Sequence, residues 1–395
     1  MKITSVDIIL VTLGKAATVS SPWNPTIVRI NTDEGISGYG EVGLCYGKAK
    51  DAAYGMAKDF SSLLIGIDPM KSEAIWEKLF RTTFWGMGGG AVVFAGISGI
   101  DIALWDIKGK VFGAPCHQLM GGKTNERLRT YASQIQFDWG KESRCLIHPE
   151  EYAQAALKAR AEGYNAVKVD PVGFDDRGIW KGKKLTGLMD AAQVRLGRER
   201  VRAIREACGP DMDIILELHA MTDANTAVQF AREVEEYNCF YYEEPTCPLN
   251  EGNMRYVTQN VKIPVASGER IYTRWGYHSF LENHTLQVIQ PDLGNTGGLT
   301  EGKKICDMAH SYDIAVQLHI CGGPIATAAA LQLEAVIPNF IIHEHHAAAL
   351  LDENIRSCKY DYQPKDGYFS VPDLPGIGQE LSEEALKTAV ITTVK

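Results

Sequence analysis

The chain has 395 residues, 45% of them hydrophobic, and a formal net charge of −9. That length and apolar content suit a globular chain with one large barrel and an extra domain. The acidic balance argues against nucleic acid as the main partner, and no apolar run reads as a membrane span.

The start, MKITSVDIILVTL, alternates like a strand and lacks a small-residue cleavage site, so it does not read as a signal peptide. The nine cysteines are scattered without a Cys-x-x-Cys pair, which predicts free thiols in a reducing cytoplasm. Residues 1–45 read as a small antiparallel sheet, with Asp33-Glu34-Gly35 as a tight turn. Within it, Gly38 to Gly43 spells the dinucleotide fingerprint G-x-G-x-x-G. That fingerprint belongs between a parallel strand and a helix; this one lies in a hairpin arm, so a nicotinamide oxidoreductase is the weaker reading. Helical spacing covers 47–66, 72–83 and 95–112. In the last of these, Asp101 and Asp106 read as helix-packing acids, and Gly113-Ala114-Pro115 ends the helix.

From Leu128 onward, apolar runs alternate with helices. Eight runs and seven helices predict a closed α/β barrel whose strands deliver their C-terminal ends to one mouth. The longer charged connection 171–187 is predicted to be a flap over that mouth. The expected organisation is an α+β capping domain over 1–125 and a catalytic barrel over 126–352. A proline-rich C-terminal segment, 353–395, is expected to pack back on the cap.

Glu217, Glu243 and Glu269 end the third, fourth and fifth runs at equal spacing. Three carboxylates at one mouth repel each other unless a cation sits between them, so the trio is predicted to hold a divalent metal. An all-oxygen carboxylate set suits magnesium. His219 follows Glu217 by two residues and would leave a strand on the same face. Asp292, His319 and Glu344 end the last three runs.

Several linked motifs span nearly the whole chain: IDIALWDIKGK with LMGG, E-L-H, YYEEP, SGER, QPD with GG, and LHICGGP. On these motifs the sequence resembles the enolase superfamily, in its mandelate racemase subgroup, and most closely the acid-sugar dehydratases of the galactonate dehydratase type. The resemblance implies a (β/α)7β TIM-like barrel under an α+β cap, with Mg2+ on Glu217, Glu243 and Glu269. It implies a His319–Asp292 dyad, His219 as a second acid/base group, and Glu344 facing the substrate carboxylate. Racemases of the subgroup carry K-x-K on the second strand, the second lysine being a base. Here the stretch is Lys168-Val169-Asp170, so that base is missing. This argues against two-base epimerisation and fits a dehydratase whose acid is His219.

The expected chemistry follows. His319 takes the C2 proton of an aldonate or aldarate, and His219 protonates the departing C3 hydroxyl, giving a 2-keto-3-deoxy acid. Lys168 and a protonated Glu344 add positive charge and a hydrogen bond where negative charge develops. Asp170 reads either as a structural ion pair with Lys168 or its neighbourhood, or as a substrate contact, and Arg270 as a carboxylate binder or a partner of a nearby acid. His345 and His346 reach the substrate, or join His343 in a zinc site. Trp23, Asn24 and Tyr46, in cap loops, are expected at the distal end of the substrate. The partner is thus a small acid sugar, and a symmetric homo-oligomer is the expected assembly. Competing readings are an epimerase or cycloisomerase, a mannonate dehydratase-type enzyme using Arg177 of the flap, and a catalytically weak barrel with a binding or regulatory role.

Overall fold

The structure, a computed structural model, describes residues 1–13, 17–18, 21–22, 24–45, 48–180 and 187–395. The cap is built on a four-stranded antiparallel sheet. Ile3–Leu10 pairs with Thr26–Thr32, which pairs with Ser37–Val42. On the other side of Ile3–Leu10 lies Val390–Val394, from the far end of the chain. The C-terminal segment therefore closes the cap sheet, while its strand Tyr368–Ser370 pairs with the first barrel strand.

The sheet packs on the helix Gly90–Phe112, with Ile97, Ile100, Ala103, Leu104 and Ile107 buried. By length and composition this helix passes as a membrane span, at mean hydropathy 1.6, which the sequence reading did not register. Its apolar window is 72% buried within the protein, however, so it is the core helix of the cap. The glycine hexapeptide has its explanation here. A Cβ on Gly40 would stand 2.0 Å from the Gly99 carbonyl oxygen of this helix. Gly43 donates its N–H to Gly294 O at 2.7 Å, joining cap to barrel. The pattern allows close backbone approach, and the fingerprint is a packing signature. Gly40→Ala is expected to lose about 1–3 kcal/mol of stability by overpacking. An unchanged urea midpoint would mean the helix yields without cost.

The polar residues of the cap fasten it to the barrel. Asp101 accepts from Thr300 N at 2.9 Å and Thr300 Oγ1 at 2.6 Å, at the start of the barrel helix Gly298–His310. Glu41, inside the hexapeptide, accepts from Gly323 N at 2.6 Å and Ala326 N at 3.0 Å, at the start of Pro324–Glu334. Carboxylates are favoured at both places because helix N-termini expose unpaired N–H groups. Asp106 accepts from Tyr39 N and Ile377 N, tying sheet, helix and C-terminal segment together. None of these acids faces the barrel mouth.

The eight barrel strands are Arg127–Ser133, Ala166–Val169, Asp213–Glu217, Tyr241–Glu243, Val265–Ser267, Val288–Ile289, Ala315–Val316 and His343–His346. Neighbours are parallel and in chain order, and the eighth strand returns to the first. Val316 bridges Phe340, which closes the ring between the seventh and eighth strands. Among the described residues, seven helices cover the outside, from Pro149–Ala161 to Pro324–Glu334. Inside, Tyr131, Ala166, Ile215, Tyr241, Ala266, Val288 and Ile342 form an apolar layer. Side chains alternate along a strand, so the next inward residues towards the mouth lie two positions on. They are Ser133, Lys168, Glu217, Glu243 and Glu344. The barrel's own period thus lifts a charged layer above an apolar plug.

Candidate active site

That charged layer is nearly dry. Lys168, Glu217, Glu243 and Glu344 are each about 1% exposed. Lys168 Nζ stands 2.8 Å from Glu243, 2.8 Å from Glu344 and 3.1 Å from Glu217. Burial opposes its charge, but the three carboxylates outweigh it and hold the ammonium well above its usual pKa. One cation among three buried acids leaves negative charge uncompensated. Accordingly, burial and the neighbouring Glu217 push Glu243 well above the usual carboxylate range.

Glu217 and Glu243 are register partners on adjacent parallel strands. Glu243 Oε2 is buried without a hydrogen bond, and Glu217 Oε2 has only the poorly aligned Lys168 ammonium. Two orphaned carboxylate oxygens side by side, in a layer short of positive charge, have the donor chemistry of a hard-cation site. Glu269, two residues beyond the fifth strand, is turned to His319 Nε2 at 2.8 Å. Among the described residues, no three acidic, histidine or cysteine side chains form a ready-made ligand cage in this arrangement.

Glu344 departs from expectation. It was expected protonated and facing the substrate. Burial pushes its carboxyl up, but Lys168 outweighs this and holds it at about 2. It accepts from Ser133 Oγ at 2.6 Å and Ile320 N at 3.0 Å, so it is an ionised anchor for Lys168 and for the seventh strand's exit.

Above this layer opens a cavity of about 570 Å³. His219, Glu269, Arg270, Asp292 and His319 line it. His319 Nδ1 lies 2.7 Å from Asp292 Oδ2. Burial disfavours the charged imidazole, yet Glu269 and Asp292 together raise His319 well above its usual pKa. His219 reaches the cavity by a different route from the one expected. The third strand ends at Glu217, and His219 and Ala220 both take left-handed backbone, at φ 48 and φ 53. A turn therefore delivers the imidazole, in place of strand alternation. Burial works against its charge, but Glu217 and Asp170 raise it to about 9.

Asp170 makes its ion pair in the neighbourhood of Lys168, with His219 and not with the lysine itself. It is fully buried, does not line the cavity, and meets His219 Nδ1 at 3.1 Å. Arg270 forms an ion pair with Glu244, the second of the two roles expected of it, and its side chain lines the cavity. His345 is a correction. The eighth strand's alternation turns it outward, where its Nδ1 meets Tyr164 OH at 2.6 Å and its ring stacks on Tyr164. His346, at the strand's end, lines the cavity instead. Its Nδ1 accepts from Ala348 N at 3.0 Å and burial lowers its pKa to about 4, so it is a neutral ring with its proton on Nε2. His343 bonds Glu334 on the outer side, so the three histidines do not converge as a zinc site would require. Arg177 is exposed, paired with Asp175 and absent from the lining, which removes the support for the mannonate dehydratase-type reading. Asn24 does not line the cavity, and Trp23 and Tyr46 lie outside the described residues.

Other lining residues went unnoticed in the sequence. Gln134 sits just past the first strand, at φ 67. Asn295, only 6% exposed, has a buried Oδ1 without a partner. Phe174 and Trp180 come from the flap connection, whose residues 181–186 are outside the described set. The rule that strand ends line the mouth would have found Gln134 and Asn295.

A parallel barrel with acids on its third to fifth strands and a His–Asp pair on its seventh and sixth, under an α+β cap, defines an enolase-superfamily protein. The chain belongs to the mandelate racemase/muconate lactonizing enzyme family: residues 12–121 match that family's N-terminal domain and residues 151–385 the enolase C-terminal domain-like family. It is 34% identical to D-galactonate dehydratase of Pectobacterium atrosepticum over 94% of this chain and 92% of that one. Among solved structures, an enolase-superfamily member from Salmonella Typhimurium is 57% identical, with TM-score 0.96 and full coverage of both chains. A candidate dehydratase from Zymomonas mobilis ZM4 is 50% identical, with TM-score 0.97, covering 100% of this chain and 99% of that one. The resemblance read from the motifs and the barrel-and-cap fold are both borne out.

Proposed function

We propose that the protein is a magnesium-dependent hydro-lyase that dehydrates an aldonate or aldarate to a 2-keto-3-deoxy acid. The observation that carries this reading is the presence of two imidazoles, His319 and His219, from opposite sides of the barrel, on one cavity beside Glu269. Dehydratase relatives at about one-third identity support it.

In this reading Glu217, Glu243 and Glu269 hold the ion. A bound magnesium ion supplies Lewis-acid stabilisation of the charge that develops on the substrate carboxylate. Glu269, which pairs with His319 Nε2 in the ion-free structure, would belong to the ion in this reading, and the neutral ring so released, aligned by Asp292, takes the C2 proton on Nε2. Lys168 fixes Glu217 and Glu243 and balances part of their charge. His219 gives a proton to the C3 hydroxyl, which leaves as water, and the enol tautomerises to the keto acid. No second base faces the C2 centre from the second strand, because Asp170 is buried behind His219, and this disfavours an epimerase.

The test is a screen of C4 to C6 aldonates and aldarates with magnesium, reading 2-keto acid as its semicarbazone. Turnover of at least one substrate, lost with chelator and restored by magnesium, is expected. Failure across the panel would favour the weak-barrel reading.

A further inference from the structure

We infer that Asp170 is the positioning residue of a second histidine–carboxylate dyad, holding His219 so that its Nε2–H, and not Nδ1, faces the departing hydroxyl. This rests on the dehydratase reading above. The geometry is specific. Asp170 Oδ1 accepts two backbone N–H groups, from Val172 at 3.0 Å and Gly173 at 2.6 Å. That fixes the carboxylate plane and leaves Oδ2 for His219 Nδ1 at 3.1 Å. Asp170 N in turn donates to Gln136 Oε1 at 3.3 Å, tying the second strand's end to the first. The Trp180 ring meets the His219 ring edge-on, with centroids 6.2 Å apart, and limits its rotation from the cavity side. In the doubly protonated ring Nδ1–H is given to Asp170, so the proton available to substrate is the one on Nε2.

The chemistry follows with atoms balanced. His319 accepts the C2 proton, and the C–H electron pair passes into the enolate. As the C2=C3 bond forms, the C3–O bond breaks. The oxygen takes the His219 Nε2 proton and leaves as water, and the ring is left neutral with its Nδ1 proton still donated to the Asp170 carboxylate.

The test uses Asp170→Asn in the full-length protein. The two N–H donors require an oxygen at the Oδ1 position, so the amide places its NH2 against His219 Nδ1. A donor there demands a bare Nδ1, so the doubly protonated imidazolium no longer forms, and the Nε2–H of the neutral ring is far too weak an acid to protonate the departing hydroxyl. In D2O, elimination is expected to fall about 100-fold or more. Base-dependent deuterium exchange at C2 of recovered substrate should continue, raising the exchange-to-elimination ratio by about tenfold or more. The same substitution placed on His219→Gln should cost no further elimination, because its only route of action is already gone. Parallel loss of exchange and elimination, or additive loss in the double variant, overturns the inference and makes Asp170 merely structural. A readout without substrate comes from 15N-histidine NMR, with the His219 signals assigned by their absence in His219→Gln. Nδ1 is expected protonated in the native protein and unprotonated in Asp170→Asn; an unprotonated native Nδ1 overturns the dyad even if every acid sugar proves inert. Inert native protein with the expected tautomers would instead sink the dehydratase reading alone.

Discussion

Replacing His319 with Asn is expected to cut turnover about 100- to 10,000-fold and to abolish deuterium exchange at C2. The side chain is nearly isosteric at its root, so the cavity survives, but no atom remains that can accept the C2 proton. The pairing with Asp292 at 2.7 Å determines which nitrogen does the work: Nδ1 is committed, and Nε2 faces the metal-ligand side beside Glu269. Both readouts are needed. Loss of turnover alone would equally follow from loss of the acid. His219→Gln is expected to stop elimination while exchange continues, so the pair of variants separates the two proton transfers. Exchange surviving in His319→Asn would point to another base and remove the proposed direction of the reaction.

The contrast between these histidines also marks what a sequence can disclose. The βα rhythm and the acids at the ends of the strands were legible because both are local: a period of two along each strand and a repeated run-then-helix unit. Glu217, Glu243, Lys168 and Glu344 share a layer for that reason alone. The failures begin where a strand ends. His345 was placed on the cavity, but one residue of alternation turns it out to Tyr164, and His346 is the one that arrives. An ion pair of Asp170 near Lys168 is legible, but its partner His219 is not, since nothing in Lys168-Val169-Asp170 says that the chain turns after Val169 and that two N–H groups capture the carboxylate. The protonation state of Glu344 was misjudged because it depends on a lysine six strands away in the chain order but 2.8 Å away in space. Likewise, the hexapeptide Gly38 to Gly43 spelled a nucleotide motif. Only the close approach of helix Gly90–Phe112 and of Gly294 explains why glycine is required at those positions.

Lys168→Met is expected to destabilise the metal-free protein by about 3–5 kcal/mol, since it leaves buried carboxylates without their counter-charge. Ordinary core substitutions of similar size cost far less. The buried layer contains Glu217, Glu243 and Glu344 around a single ammonium, so the variant keeps three acids and no cation. If Glu217, Glu243 and Glu269 form a magnesium site, the ion restores part of that loss. At a concentration one hundred times Kd it contributes about 2.7 kcal/mol by linkage. Urea titration with chelator or with magnesium measures both effects and requires no turnover. Adding Glu243→Gln to Lys168→Met should relieve repulsion yet weaken the ligand set, so the double variant is expected to be more stable in chelator and to gain less from magnesium. Two results would defeat the account. Equal stability of Lys168→Met and native protein in chelator would mean that the layer is not short of positive charge. An undiminished magnesium response in the double variant would place the ion away from Glu243, and the proposed site would then have to be sought elsewhere in the barrel.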